Sequence, residues 1–459
     1  MNKLDTGLVR AALAEAGLDL TDRVQDADVV LLNTCSVREH AEQRVWSHLG
    51  HLHHLRASRP GLVVGVLGCM AQRLGDQLLQ HPAVDLVCGP AQIPRVADLC
   101  VQALGRREKR MEVCASIRTE ACDHPGLEAF ESTHASEDLP GQAYVRVMRG
   151  CDRFCSYCVV PYVRGPERSR PPGAVLDQVR RLADQGIRQV TLLGQTVNAY
   201  RYTAGDRTFG LADLLEQVSG VQGIEWIRFV TSYPSEESLD PTLRAMARLP
   251  KVCPHLHIPA QSGSDRILAA MNRRYTAAQY LALLDKARSL VPGLAVAGDF
   301  IVGFPGETDE DFHQTADLVR RARYRNCYIF QYSPRPGTQA DRRLEDNVPA
   351  QAKQARNAEL LAVQEQISGE LAQAFQGQVV RVLVEGPSKK SGRNPRDTQG
   401  HPQLVGRTST DWIVVFHGPA SLAGQFAQVR IEEVSPLTLF GTLCESPGNR
   451  TQGTPPARK

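Results

Sequence analysis

Arg149-Gly-Cys151-Asp-Arg-Phe-Cys155-Ser-Tyr-Cys158 gathers three thiols within eight residues, directly behind an apolar run at 144–148. Thiolates at this spacing can wrap one face of a cubane 4Fe-4S cluster. Three protein ligands leave the fourth iron open to the amine and carboxylate of a substrate. A zinc site completed by a ligand elsewhere is the alternative. The position at the end of a strand favours the cluster, because the reactive groups of (βα) barrels stand at the C-terminal ends of their strands.

Outward from this stretch, apolar runs alternate with helix-like segments. Candidate strands are 144–148, 189–193, 226–231, 255–259, 294–302 and 327–332, separated by helical patterns such as 174–184 and 277–290. Six strands with right-handed crossovers predict a partial (βα) barrel, with a doubly wound sheet as the alternative. Polar and glycine residues end the candidate strands. Gly194, Gln195, Thr196 and Asn198 follow the second; Thr231 and Ser232 end the third; Gln261, Ser262, Gly263 and Ser264 end the fourth; Asp299 through Gly303 to Glu307 ends the fifth. Glycine lets backbone approach a ligand, and amides and hydroxyls can hold carboxylate, amine or ribose groups. Each such strand end alone reads equally well as a turn. Their recurrence at one end of the series points to a site.

Upstream, residues 1–120 read as an α/β domain with a parallel sheet, strands 28–33, 62–67 and 84–87, and an amphipathic segment at 37–55. Residues 121–141 are polar and acidic without periodicity and are expected to form a linker. Residues 142–376 hold the barrel series and a long helix at 350–375 that ends before Gly377. Residues 377–445 carry short strands at 379–384, 403–405, 412–416 and 428–434, the pattern of a small all-β domain. The tail, 446–459, is rich in Pro, Gly and Arg and is expected to be disordered.

A net charge of +3 over 459 residues excludes a global polycation, so RNA binding needs local patches. One basic group is Arg164, Arg168 and Arg170. Another is Arg381, Lys389, Lys390, Arg393, Arg396 and Arg407, opposed only by Glu385 and Asp397. Such residues can track phosphates, or simply form a solvated loop. With no apolar run long enough for a membrane span and no secretory signal, a cytoplasmic protein is expected. Twelve cysteines in such a protein do not suggest a disulfide framework. Cys88, Cys100, Cys114, Cys122, Cys253, Cys327 and Cys444 are scattered and read as small buried hydrophobes. Cys35 and Cys69 each close an apolar run at a strand-to-helix junction. In a parallel sheet those junctions share an edge, so the pair could converge as a redox couple, or be ordinary buried thiols.

The CxxxCxxC spacing with Tyr157 before its last cysteine resembles the radical S-adenosylmethionine (SAM) superfamily. The wider set resembles the methylthiotransferase family of that superfamily over nearly the whole chain. It includes Asn33-Thr-Cys35-Ser-Val-Arg-Glu39, Gly68-Cys69-Met-Ala-Gln72, Pro161-Tyr-Val-Arg-Gly-Pro-Glu-Arg-Ser-Arg170, Leu193–Tyr200, Met271-Asn-Arg-Arg-Tyr275, Gly303–Thr308 and Tyr332-Ser-Pro-Arg-Pro-Gly-Thr338. The resemblance implies an α/β fold: an N-terminal parallel α/β domain, a partial (βα)6 radical SAM barrel and a C-terminal TRAM-like RNA-binding barrel. It implies two 4Fe-4S clusters, one on Cys151, Cys155 and Cys158 and an auxiliary one on Cys35 and Cys69. SAM contacts are expected from Tyr157, Gly194, Gln195, Ser232, Gln261 and Ser262. The implied reaction is methylthiolation of C2 of N6-isopentenyladenosine at position 37 in a tRNA anticodon stem-loop. One SAM methylates a sulfur associated with the auxiliary cluster, and a second supplies the radical that removes the C2 hydrogen. Related enzymes act instead on threonylcarbamoyladenosine or on a ribosomal-protein aspartate, and a non-catalytic iron–sulfur RNA-binding protein is a further reading. The implied partners are tRNA, an external electron donor and a sulfur source, with the protein itself a monomer.

Two departures stand out. The family's first auxiliary cysteine lies in a Gly-Cys-Gln-Met-Asn motif, whose tail Met1-Asn2-Lys-Leu-Asp5 resembles; the true start codon is expected upstream. Cys88 sits in a segment where the family uses no ligand. The family commonly has His before the proline of Thr231-Ser-Tyr233-Pro, where this chain has Tyr233.

Overall fold

The computed structural model describes residues 1–36, 39–106, 108–115, 117–118, 123–133, 139–389 and 401–444. They fall into two compact units. The first holds Met1–Asp138 and Gln142–Gln364; the second holds Leu139–Gly141 and the chain from Glu365 on.

In the first unit, Val29–Thr34, Val63–Gly68, Leu86–Cys88 and Arg110–Glu112 form a parallel sheet in sequence order. Val63–Gly68 is buried along its whole length, as a strand covered on both faces must be. Its alternate side chains feed two cores: Val63 and Leu67 pack with Val9 and Leu99, while Val64 and Val66 pack with Leu49 and Leu78. The apolar runs revealed three of these strands. The short edge strand Arg110–Glu112 and the opening helix Asn2–Glu15 were not expected.

The barrel strands are Gln142–Arg146, Gln189–Leu193, Trp226–Val230, His255–His257, Ala295–Val302 and Asn326–Gln331. They run parallel as two triplets, the first three and the last three. Backbone bonds join the triplets: Ser232 N donates to His257 O at 3.0 Å and Cys253 N to Ile227 O at 2.9 Å. Sequential neighbours in one arc make this a partial barrel and settle the matter against the doubly wound alternative, whose strand order reverses. Helices such as Pro172–Asp184, Glu236–Arg248, Ala277–Leu290 and Asp309–Ala322 cover the outside. Between strands and helices Tyr324 donates its hydroxyl to Tyr280 at 2.7 Å, and Tyr280 donates to Ile258 O at 2.8 Å, so two buried phenols are satisfied.

The stretch expected as a linker contains a helix, Leu127–Thr133, whose Leu127 and Glu131 are buried. It is therefore part of the packed structure. Acidic residues read as solvated because their cationic partners lie outside the stretch: Glu131 pairs with buried Arg146 and Glu128 with Arg170.

In the second unit, Val379–Pro387, Gln403–Thr408, Ile413–His417, Phe426–Val434 and Thr438–Leu443 close a five-stranded barrel. Its interior includes Val382, Leu404, Phe416, Ile431 and Leu439. The last strand, Thr-Leu-Phe-Gly-Thr-Leu with a glycine in its middle, was not anticipated. It completes closure by pairing with both Ile413–His417 and Phe426–Val434. Lys390, Arg393, Arg396, Asp397, Cys122 and the tail lie outside the described residues.

Candidate active site

The three-cysteine loop follows Met148–Arg149, which pairs antiparallel with Arg168–Ser169. Cys151 N donates to Gly165 O at 3.1 Å and closes the loop's base. Gly150 is obligatory there: its φ is +74°, and an added Cβ would stand 1.8 Å from Pro166 O. Cys151 is buried, with its sulfur 3.3 Å from the Thr196 hydroxyl, while Cys155 and Cys158 are half-buried. Burial pushes the Cys151 and Cys158 thiols up, and the neighbouring cysteines add to the effect. The desolvated sulfurs of Cys151 and Cys158, set on one short loop with Cys155, are unfavourable as free thiolates. They suit a multinuclear cationic core that removes their protons. Among the described residues no three His, Cys, Asp or Glu side chains are arranged around one metal ion. Cubane ligands, by contrast, each bind a different iron.

The loop is stitched to the turn after helix Asp265–Ala270. Ser156 N donates to Met271 O at 3.0 Å, Ser156 Oγ to Ala270 O at 2.8 Å, and Asn272 Nδ2 to Phe154 O at 2.8 Å. Phe154 and Asn272 both take positive φ, as do Thr231 and Gln261 at the neighbouring strand ends. For β-branched Thr231 this is a strained conformation, held by the surrounding backbone.

A cavity of about 710 Å³ opens at the strand ends; Tyr157, Cys158, His257, Gln261, Asp299 and Tyr332 are among its lining residues. Two expected SAM contacts, Tyr157 and Gln261, are thus at the cavity. Two more carry buried polar atoms that find no hydrogen-bond partner among the described residues: Gln195 Oε1 and Ser232 Oγ. Buried polar atoms are ordinarily satisfied, so these leave capacity for a polar ligand. The other two expected contacts are explained by packing. Ser262 is fully buried, shares a hydrogen bond with Thr315 at 3.2 Å and accepts from Ser264 N at 3.2 Å. Gly194 admits no Cβ because Met148 Cγ would lie 2.6 Å away. The site also holds residues that sequence reasoning missed. His257 Nε2 stands 3.3 Å from Asp299 Oδ2. Arg273 Nη1 donates to Cys155 Sγ at 3.5 Å. The alternation His255-Leu-His257 and the register of Asp299 were the available signals.

Cys35 and Cys69 follow the paired ends Thr34 and Gly68 of adjacent strands, so they share one sheet edge. Gly68 has φ +91°, and a Cβ there would meet Thr34 O at 2.6 Å. Cys69 packs on Val159 and Val163, the segment just behind Cys158. Burial raises its thiol, opposed by Arg164, whose Nε donates to Cys69 Sγ at 3.2 Å. Arg164 also pairs with fully buried Asp5 at 2.6 Å. Of the scattered cysteines, Cys88, Cys100, Cys253 and Cys327 are buried, and Cys114 and Cys444 are half-buried.

The basic group Arg164, Arg168 and Arg170, read in sequence as a possible RNA contact, is engaged in ion pairs within the protein. Arg164 is engaged as described, and Arg168 pairs with Asp123. Arg170, with its side chain 6% exposed, bonds Glu128 at 2.8 Å, Arg146 O at 2.6 Å and Gln178 at 2.8 Å. In the C-terminal barrel, Arg407 is held by Glu385 at 2.9 Å and Asp411 at 3.2 Å, whereas Lys389 is exposed.

A parallel barrel with a tricysteine loop behind its first strand and an unsatisfied polar mouth defines a radical SAM protein. The family model of the Radical SAM superfamily matches residues 145–319, that of the Uncharacterized protein family UPF0004 residues 1–89, and that of the TRAM domain residues 373–444. In fold alone the chain is similar to the radical S-adenosylmethionine methyltransferase TsrM from Kitasatospora setae. The TM-score is 0.51 at 16% identity, over 74% of this chain and 73% of that one. It is 43% identical to the tRNA-2-methylthio-N(6)-dimethylallyladenosine synthase of Rhodopirellula baltica, over 96% of this chain and 93% of that protein. It is also 43% identical to the synthase of that name from Ralstonia pickettii, over 97% of this chain and 96% of that protein. The chain belongs to this family of radical SAM methylthiotransferases.

Proposed function

We propose that the protein methylthiolates C2 of N6-isopentenyladenosine at position 37 of tRNA. The observation that carries this is kinship along the whole chain with tRNA-2-methylthio-N(6)-dimethylallyladenosine synthases. We assign Cys151, Cys155 and Cys158 to a 4Fe-4S cluster with one iron left for SAM, and Cys35 and Cys69 to an auxiliary cluster. When bound, cluster and SAM supply one-electron chemistry and a methyl group.

The chain's own residues position and shield. The Ser232 hydroxyl and Gln195 amide oxygen offer hydrogen bonds to SAM. Gln261, His257 and Asp299 line the polar side of the cavity, while Tyr157 and Tyr332 limit water access. Arg164 holds Cys69 and ties the N-terminal sheet edge to the segment after Cys158. The C-terminal barrel, 377–445, is assigned to RNA, joined through the long helix to a core of 142–376, with residues 1–120 carrying the auxiliary site. The target base must leave its stack to enter the cavity, which costs least in an anticodon loop. An electron donor and a sulfur source come from outside the chain. We expect a cytoplasmic monomer; no helix among the described residues is long and apolar enough to cross a membrane.

Mass spectrometry of tRNA nucleosides from a gene-deleted strain tests the proposal. The methylthio-isopentenyl nucleoside should disappear and its isopentenyl precursor accumulate. An unchanged nucleoside profile, or loss of a methylthio-threonylcarbamoyl nucleoside instead, overturns the substrate assignment.

A further inference from the structure

Arg273 is 9% exposed, and the hydrogen bonds it makes among the described residues go to a phenol, a carbonyl and a thiol. Its Nε donates to Tyr275 Oη at 2.7 Å, Nη2 to Pro259 O at 2.6 Å and Nη1 to Cys155 Sγ at 3.5 Å. Tyr233 covers the guanidinium at 4.7 Å from the ring centroid and Tyr275 lies at 5.1 Å. A buried cation normally sits beside an anion, because desolvation without one is costly. Here Arg273 reaches the sulfur of Cys155, which would carry negative charge once it ligates a cluster.

Tyr233 links this cation to the cysteine loop itself. Its ring lies 4.7 Å from Arg273 and 4.4 Å from Arg153, which stands between Cys151 and Cys155. The ring meets Tyr275 edge-on at 5.7 Å, and its hydroxyl accepts from Arg274 N at 3.1 Å. Asn198 fixes the Tyr233 backbone from both sides, donating to its carbonyl and accepting from its N–H, each at 2.8 Å. Each guanidinium lies within the range at which the ring's π electrons attract a cation. An imidazole in place of this phenol would offer a smaller face and could itself become a cation.

We propose that Arg273, clamped by Tyr233, is a positioning residue that donates to the Cys155 sulfur and sets the reduction potential of the cluster on Cys151, Cys155 and Cys158. The inference rests on the reading of Cys155 as a cluster ligand. A hydrogen bond and a fixed positive charge at a ligating sulfur stabilise the state that carries the extra electron, so they raise the potential. Removing them makes one-electron reduction harder without removing a ligand.

The test is an EPR-monitored redox titration of anaerobically reconstituted full-length protein, following the reduced-cluster signal that changes when SAM is added. Arg273→Gln should move its midpoint to more negative potential with iron and sulfide per chain unchanged. Arg273→Lys keeps the charge and should recover part of the shift. Tyr233→Leu, which leaves the cation but removes its clamp, should shift in the same direction by less. A wild-type midpoint in Arg273→Gln at full iron loading overturns the inference. Should Arg273→Gln fail to load iron, unshifted midpoints in both Arg273→Lys and Tyr233→Leu overturn it equally. A wild-type protein without any SAM-responsive signal refutes the ligand reading instead, so the two failures are distinct.

Discussion

Ser232 and Ser262 were indistinguishable as sequence: each is a serine at the end of a barrel strand, flanked by polar neighbours. The structure separates them by what their hydroxyls touch. Ser232 Oγ is buried without a partner among the described residues, whereas Ser262 Oγ is tied to Thr315 and Ser264 N. Replacing Ser232 or Gln195 by alanine should therefore weaken SAM binding by about 5–10-fold, the worth of one hydrogen bond, and leave the melting temperature nearly unchanged. Ser262→Ala should do the reverse, lowering stability by about 1 kcal/mol with SAM affinity intact. Equilibrium dialysis with SAM and thermal melts of the same reconstituted samples check both. The cysteine spacing was legible because metal ligands cluster in sequence. Arg273 was not, because it reaches Cys155 only through a turn that folds back from more than a hundred residues away.

The strands and helices were largely readable from apolar runs, and Gln189–Leu193 and Ala277–Leu290 match their expected limits. What patterning misjudged was charge. Arg164 and Arg170 look like a surface group in sequence, yet each side chain is 6% exposed and satisfied by acids distant in the chain. Arg170→Ala should thus destabilise the first unit by about 1–2 kcal/mol, since it leaves the buried Arg146 carbonyl and Gln178 without their donor, while half-exposed Glu128 turns to water. Denaturant titration measures that loss, and RNA affinity per folded molecule should not change. Helix Asp309–Ala322 carries a pH-dependent element. Burial alone would push the Asp311 carboxyl up, but hydrogen bonds from Arg266, Ser264 and Thr308 outweigh it and hold it well below the usual carboxylate range. A depressed folded-state value means the unfolded chain binds the proton more readily. The stabilisation is complete above the ordinary carboxylate value of about 4 and is lost as pH falls below it. Asp311→Asn should cost about 1–2 kcal/mol near neutrality, and the gap from wild type should close in acid denaturation series run toward pH 2.

At the scale of the whole molecule, the N-terminal sheet edge and the barrel mouth meet in one unit. Cys69 packs against the residues just beyond Cys158, and Arg164 bonds both Cys69 and Asp5. The order of domains was legible because composition changes along the chain. The intimacy of the first two was not, since its carriers are the same buried arginines that sequence assigns to a surface. Every functional assignment depends on a cluster that leaves one iron to SAM. The direct measurement is SAM cleavage by anaerobically reconstituted protein under a strong one-electron reductant, read as 5′-deoxyadenosine by liquid chromatography. The account predicts iron-dependent 5′-deoxyadenosine from the wild-type chain and none from Cys155→Ala. Zinc loading in place of iron, or equal 5′-deoxyadenosine from wild type and Cys155→Ala, would contradict it.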